Sequence, residues 1–216
     1  MALDPSPLDA GRPPRQVRPG LWLFAPSRDS QGGSSWLLEG EGEQPPLLID
    51  CPGLTEANLQ FLERFQAERR GAWVLTSREG HGRCRRLQQR LGWPVWVQEQ
   101  EAYLLPGVAP LQAWGAEQEL AGARLLWTPG PTPGAAVLHV RRHGLDLLFC
   151  GRLLLPTAPG RLEPLRTART FHWPRQLASV ERLRAWLPAG SPAWIACGGG
   201  LGALRGAVLV PAGAAW

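Results

Sequence analysis

The segment Thr76-Ser77-Arg78-Glu79-Gly80-His81-Gly82-Arg83-Cys84 holds the densest set of side chains that could do chemistry in this 216-residue chain. A carboxylate, an imidazole and a thiol within one short stretch are the materials of a general base beside a nucleophile. A lone histidine does not hold a catalytic metal, and structural or surface roles are the commoner fate of an isolated imidazole. The other histidines, His139, His143 and His172, lie far along the chain. The four cysteines, Cys51, Cys84, Cys150 and Cys197, are widely separated and form no CxxC pair. No zinc or cluster spacing is therefore written in the sequence, although convergence of the four thiols in space stays open. Small thiols at strand ends are also ordinary core residues.

These side chains need a scaffold, and the hydrophobic pattern supplies one. Short apolar runs at Leu21–Phe24, Ser34–Glu39, Pro46–Asp50, Ala72–Thr76 and Pro94–Val97 read as strands. The third of them ends in Asp50, so a buried strand delivers a polar group at its end. Helices are expected over Thr55–Arg69, with Thr55 as N-cap, over Gly82–Leu91, and briefly near Gln98–Leu104. In the second half, Gly122–Trp127, Ala136–Val140 and Asp146–Cys150 read as strands, the last two joined at His143-Gly144. An amphipathic helix over Arg175–Leu187 carries Leu177, Val180, Leu183, Trp186 and Leu187, with Pro174 in its first turn. Ala193–Cys197 is a last strand running into Gly198-Gly199-Gly200. Residues 1–19, rich in Pro and Arg, are expected to form an irregular arm before a single domain over 20–216. Strands followed by helices in each half favour an α+β fold, an αββα sandwich of two mixed sheets with helices outside.

Composition narrows the class. The net charge is +5, and the basic residues are all arginine, scattered apart from runs such as Arg83, Arg85, Arg86 and Arg90. Arginine rises here together with Ala, Gly and Pro, so a coding bias explains it better than a nucleic-acid surface, and no nucleic-acid partner is expected. No apolar stretch approaches the ~20 residues of a membrane span, and no membrane association is expected. The N-terminal residues lack the apolar core of a signal peptide, so a cytoplasmic protein with reduced thiols is expected. The eleven tryptophans, several on expected strands, read as core.

Five loops in order carry a resemblance. Ile49-Asp50-Cys51-Pro52-Gly53 resembles the strand-end DTG element of metallo-β-lactamase-fold proteins. Val74–Gly82 stands where that family carries its T-H-x-H-x-D-H loop. Thr128-Pro129-Gly130-Pro131-Thr132-Pro133-Gly134 resembles the T-P-G-H-T-P-G loop. Leu148–Leu154 resembles F-x-G-D-x-L, and Trp194–Gly200 resembles the late P-G-H-G loop. The resemblance runs from about Leu21 to Gly200 and implies the αββα sandwich.

It also implies a metal site, which these residues do not rebuild. The family binds Zn, Fe or Mn through His and Asp, and the metal turns bound water into hydroxide at neutral pH. Position by position, the first two loop histidines become Ser77 and Glu79, the loop Asp becomes His81, and its last His becomes Gly82. The His of the Pro-Gly loop becomes Pro131, the bridging Asp becomes Arg152, and the late His becomes Gly199. Gly82, Pro131 and Gly199 offer no side-chain donor, and a fixed cation at Arg152 opposes a divalent metal. The resemblance therefore implies a degenerate pocket with neither a catalytic residue nor a Zn or Fe cofactor, and a binding or scaffold role. Because the second loop position and the bridging position approach the same metal in the family, Glu79 and Arg152 are expected to form an ion pair in its place, the alternative being that both face water. Arg78 and Arg152 could also form a pocket for a small anion. The partner is open between a protein, a second copy of the chain and that anion. The competing expectation is a thioester or phosphodiester hydrolase with a site rebuilt around His81, Glu79 and Cys84.

Overall fold

A computed structural model describes residues 8–65 and 70–215. The first sheet runs in chain order through β1 (Arg15–Arg18), β2 (Leu21–Leu23), β3 (Trp36–Leu38), β4 (Leu47–Ile49), β5 (Ala72–Leu75), β6 (Val95–Gln98) and β7 (Leu111–Trp114). Its first four strands are antiparallel neighbours, and β4 to β7 are parallel. The second half contributes β8 (Glu117–Leu120), β9 (Ala123–Trp127), β10 (Ala136–Arg142) and β11 (Leu145–Phe149). A separate hairpin of β12 (Leu155–Ala158) and β13 (Arg161–Glu163) follows, and β14 (Trp194–Ala196) and β15 (Leu209–Pro211) complete the second sheet. The order across that sheet is β15-β14-β11-β10-β9-β8, with β11 and β14 parallel and the other pairs antiparallel.

Strand alternation sets the layers. Leu21, Leu23, Trp36, Leu38, Leu47, Ile49 and Val74 face the second sheet and meet Leu125, Leu138, Val140, Leu147 and Phe149 in a shared core. The intervening Leu37, Leu48, Trp73 and Leu75 face outward onto helix α1 (Glu56–Glu63) and helix α2 (Cys84–Leu91). On the far side, Leu126, Val137, Leu148 and Ile195 pack against Val180 and Leu183 of helix α3 (Trp173–Trp186). Strands covered on both faces read as continuous apolar runs, which is why these interior strands carry no polar alternation. The result is the αββα sandwich of two mixed sheets.

Local details follow the sequence with some corrections. Thr55 Oγ1 accepts from Asn58 N at 3.3 Å and caps α1, which ends at Glu63; the part of the expected helix over residues 66–69 lies outside the described residues. The stretch 99–104 forms a 3₁₀ helix. The arm is less irregular than expected: Arg15–Arg18 adds an edge strand, with Val17 packed on the inter-sheet core. Further upstream, Asp9 O and Ala10 O accept from Glu56 N and Ala57 N, so the arm satisfies the open N–H groups of α1. In α3, Leu177 is exposed rather than on the apolar face, because Gln176, Ser179, Val180 and Leu183 form the buried stripe. No helix among the described residues is long and apolar enough to cross a membrane.

Candidate functional site

Parallel strands end on the same side, so β4, β5, β11 and β14 deliver their loops to one edge of the sandwich. Backbone bonds tie the loops together there: Ala136 N to Thr76 O at 2.8 Å, Gly198 N to Gly151 O at 2.7 Å and Ser34 N to Gly198 O at 3.1 Å. Asp50 sits at the centre, buried, in left-handed backbone at φ 57°. Its carboxylate accepts from Thr76 N at 2.7 Å and from Thr76 Oγ1 at 2.7 and 2.9 Å. Burial pushes the Asp50 carboxyl up to about 6, against the pull of the Thr76 donors and the Arg152 charge. A Cβ on Gly80 would lie 2.3 Å from Asp50 Oδ1, and one on Gly198 would lie 2.9 Å from Oδ2. Two glycines are therefore required where backbone closes over the carboxylate.

Glu79 and Arg152 meet as expected. Arg152 Nε lies 3.1 Å from Glu79 Oε2, with side-chain exposures of 14% and 13%. Arg152 Nη2 also donates to Ser30 O at 2.8 Å, so the guanidinium bridges a loop of the first sheet to a loop of the second. Beside the pair opens a cleft of about 260 Å³, walled by Glu79, Pro131, Arg152, Leu155, Arg169 and Gln176, with Thr167 and Thr170 at its side. Three of the seven expected ligand positions thus line one cleft.

The other four lie around it. Ser77 is buried with its hydroxyl unpartnered. His81 is buried with Nε2 unpartnered, and burial, aided by the Arg78 charge, lowers its pKa to about 4. Gly82, at φ +48°, abuts Cys51, and the Gly199 backbone packs against Leu155. Among the described residues, no group of three or more His, Cys, Asp or Glu side chains is placed to hold a metal ion. The residues present therefore do not fit the metal that the resemblance implies.

The alternative catalytic set is not assembled. Glu79 is engaged by Arg152, not His81, and burial pushes the Cys84 thiol up to about 12. Arg78 does not line this cleft: it is exposed, and the second cation on the cleft wall is Arg169. The four thiols are free and fall into two groups, Cys51 and Cys84 under the first sheet and Cys150 and Cys197 under the second.

Sequence reasoning passed over Asp50 as a site residue, although a lone carboxylate ending an apolar strand was its signal, and over Gln176. Gln176 is buried at the cleft wall; its Nε2 donates to Leu153 O at 3.0 Å and its Oε1 has no partner. At the opposite end of the second sheet, His139, Asp146 and Ser191 form a cluster of catalytic residue types. His139 Nε2 lies 2.7 Å from Asp146 Oδ1 and 2.9 Å from Ser191 Oγ, and Ser191 Oγ donates to Asp146 at 2.6 and 2.8 Å. Serine and aspartate share one ring nitrogen, and the hydroxyl is spent on the carboxylate. A triad needs the two partners on opposite nitrogens, so this cluster is structural.

The family profile of the metallo-beta-lactamase superfamily matches residues 72–188, more than half of the chain. Solved structures agree on the fold. BLEG-1, a B3 metallo-beta-lactamase, is 17% identical with a TM-score of 0.64, over 89% of this chain and 94% of its own. The Cronobacter sakazakii metallo-beta-lactamase with a HARLDQ motif is 23% identical with a TM-score of 0.56, over 88% and 81%. TTHA1623, solved in a di-iron-bound form, is 21% identical with a TM-score of 0.57, over 86% and 90%. No curated protein matches the sequence.

Proposed function

The chain belongs to the metallo-beta-lactamase superfamily, and on that premise we propose that it is a metal-free, non-catalytic member whose degenerate pocket serves binding. The observation that carries this reading is the Glu79–Arg152 ion pair. It occupies the convergence point of the loops with a salt bridge of its own, and none of Ser77, His81, Gly82, Pro131 and Gly199 completes a ligand set. Hydrolysis in this family starts from a metal-activated water, and the pocket residues offer no substitute. His81 stays neutral but is a weak base with a pKa near 4, and its unpartnered nitrogen is buried.

The ligand that suits the cleft is a small anion. Arg152 and Arg169 outnumber Glu79 on its wall, and Thr167 and Thr170 stand beside them. Arginine binds phosphate or carboxylate through paired donors, without a metal. The free thiols support a cytoplasmic setting, where cysteines stay reduced.

The test has three arms. Protein purified without chelator is analysed for Zn, Fe and Mn; β-lactam, thioester and phosphodiester hydrolysis are assayed; and phosphate and acetate are titrated calorimetrically into the wild type and Arg152→Ala. The reading expects sub-stoichiometric metal, no turnover, and anion binding weakened by Arg152→Ala. Stoichiometric metal, or turnover abolished by His81→Ala, would establish the rebuilt hydrolase instead. Anion binding unchanged in Arg152→Ala would remove the cleft as the site.

A further inference from the structure

Behind the cleft wall lies a pair of thiols that the proposed binding role does not use. In the parallel pairing of β11 with β14, Phe149 stands opposite Ala196, and Cys150 N donates to Ala196 O at 3.0 Å. The next residues in register are Cys150 and Cys197. Neighbouring strands run about 5 Å apart, inside the roughly 4.4–6.8 Å Cα separation that a disulfide spans. The side chains point the same way, into the core under α3. Both sulfurs converge on the same two carbonyl oxygens: Cys150 Sγ lies 3.8 Å from Gly151 O and 3.6 Å from Leu154 O, and Cys197 Sγ lies 3.6 and 3.3 Å from them.

We propose that Cys150 and Cys197 are an oxidisable dithiol, a modification site at which hydrogen peroxide forms a reversible disulfide between the ends of β11 and β14. The two sulfurs are chemically unequal. The Gly199 N–H donates to Cys197 Sγ at 3.1 Å, the Cys150 thiol adjoins that sulfur, and the Arg152 charge is nearby. These donors favour the thiolate at Cys197, and the same contact with Cys197 together with burial holds Cys150 in the thiol form. Cys197 is therefore the attacking sulfur and Cys150 the resolving one.

The steps balance. The Cys197 sulfur attacks one peroxide oxygen, the O–O bond breaks, and the departing hydroxide leaves as water with the thiol proton. Cys197 is then a sulfenic acid. The Cys150 sulfur attacks the Cys197 sulfur, the S–O bond breaks, and a second water leaves with the Cys150 proton. Two thiols have lost two electrons and one peroxide has become two waters. The oxidant must be small, because both residues are at most 1% exposed. The thin place in the wall is Gly199: a Cβ there would lie 2.5 Å from Leu155 Cδ2 and 3.4 Å from Cys197 Sγ, and Leu155 faces the cleft. The bond would clamp the turn carrying Arg152 to the turn carrying Gly199.

Cys51 and Cys84 are the internal control. Burial pushes both of their thiols up, and at Cys51 it outweighs the one backbone donor, the Arg83 N–H. The full chain is incubated with hydrogen peroxide, quenched with catalase, denatured, alkylated with iodoacetamide and examined by mass spectrometry without reductant. The proposal expects two alkylated cysteines, Cys51 and Cys84, and a linked peptide pair holding Cys150 and Cys197 that dithiothreitol separates. In Cys150→Ala, Cys197 should stop at the sulfenic acid and be trapped by dimedone; the wild-type result decides even if that variant folds poorly. Four alkylated cysteines after peroxide, sulfinic acid at Cys197 without a cross-link, or a link through Cys51 or Cys84 would overturn it.

Discussion

Two ends of the second sheet carry opposite lessons. At the end where β11 and β14 deliver their loops, the family fold persists, and Arg152 and Glu79 hold each other at 3.1 Å where the proposed reading puts the lost metal ligands. At the other end, His139, Asp146 and Ser191 supply the residue types of a hydrolytic triad without its geometry. Neither loops in the right order nor side chains of the right kind make a catalytic site. What counts is which atom faces which: at the distal end the triad geometry is missing, and at the loop edge the proposed loss of the metal site rests on the Glu79–Arg152 contact.

The comparison can be broken first through protons, where the expected effect is largest. Asp50, at the metal-loop edge, has its pKa raised from 3.8 to about 6, so the native state holds a proton the unfolded chain has lost, and stability falls as pH rises from about 4 to 6. His81 has its pKa lowered from 6.5 to about 4, so the unfolded chain takes up a proton first, and stability rises over nearly the same interval. Each shift corresponds to about 3 kcal/mol at its limit. The wild type should therefore show a shallow dependence between pH 4 and 6.5. Asp50→Asn should unmask the histidine slope, losing stability on acidification, and His81→Gln should unmask the opposite one. Urea melts across that range measure both, and identical profiles for the three proteins would show that neither group is buried as described. On the other side of the comparison, Asp146 is a depressed carboxyl: burial raises it, but its bonds from Ser191 and His139 outweigh that, so its contribution disappears in acid.

The ion pair gives the next largest effect. Arg152→Met leaves Glu79 mostly buried without its cation and should cost about 2 kcal/mol, less than a fully buried pair because both side chains keep some solvent. Adding Glu79→Gln should recover most of that loss; additive losses in the double variant would mean that the pair contributes nothing beyond its parts. The smallest effect belongs to the distal cluster. Ser191→Ala removes a hydroxyl bonded to Asp146 and should cost about 1 kcal/mol in thermal or chemical melts. It should leave anion binding at the distant cleft unchanged, and a change there would show that the two ends are not independent.

The sequence revealed the interior of the fold and hid its margins. Every strand it exposed (β2 to β6, β9 to β11 and β14) lies inside a sheet, and the four edge strands of the two large sheets, β1, β7, β8 and β15, went unseen, as did the β12–β13 hairpin. Interior strands are covered on both faces and must be apolar, whereas edges carry residues such as Arg15–Arg18 or Glu117–Leu120 that look like loop. The site shows a similar division. The Glu79–Arg152 pair was legible because loop order assigns both residues to one place. Arg78 does not line the cleft that Arg152 lines, and Arg169 reaches it from a segment with no motif. Gln176 was hidden by the helix pattern, which suggested Leu177 for the buried face when the glutamine took it to reach Leu153 O.

The central claim is that an arginine–glutamate pair has taken the place of the metal. The most direct measurement is the metal content of the full chain after equilibration with excess Zn(II) and, separately, Fe(II), followed by desalting. The account predicts that the wild type retains well short of a stoichiometric amount of either metal. Retention of one or more equivalents, lost on substitution of Glu79 or His81, would contradict it.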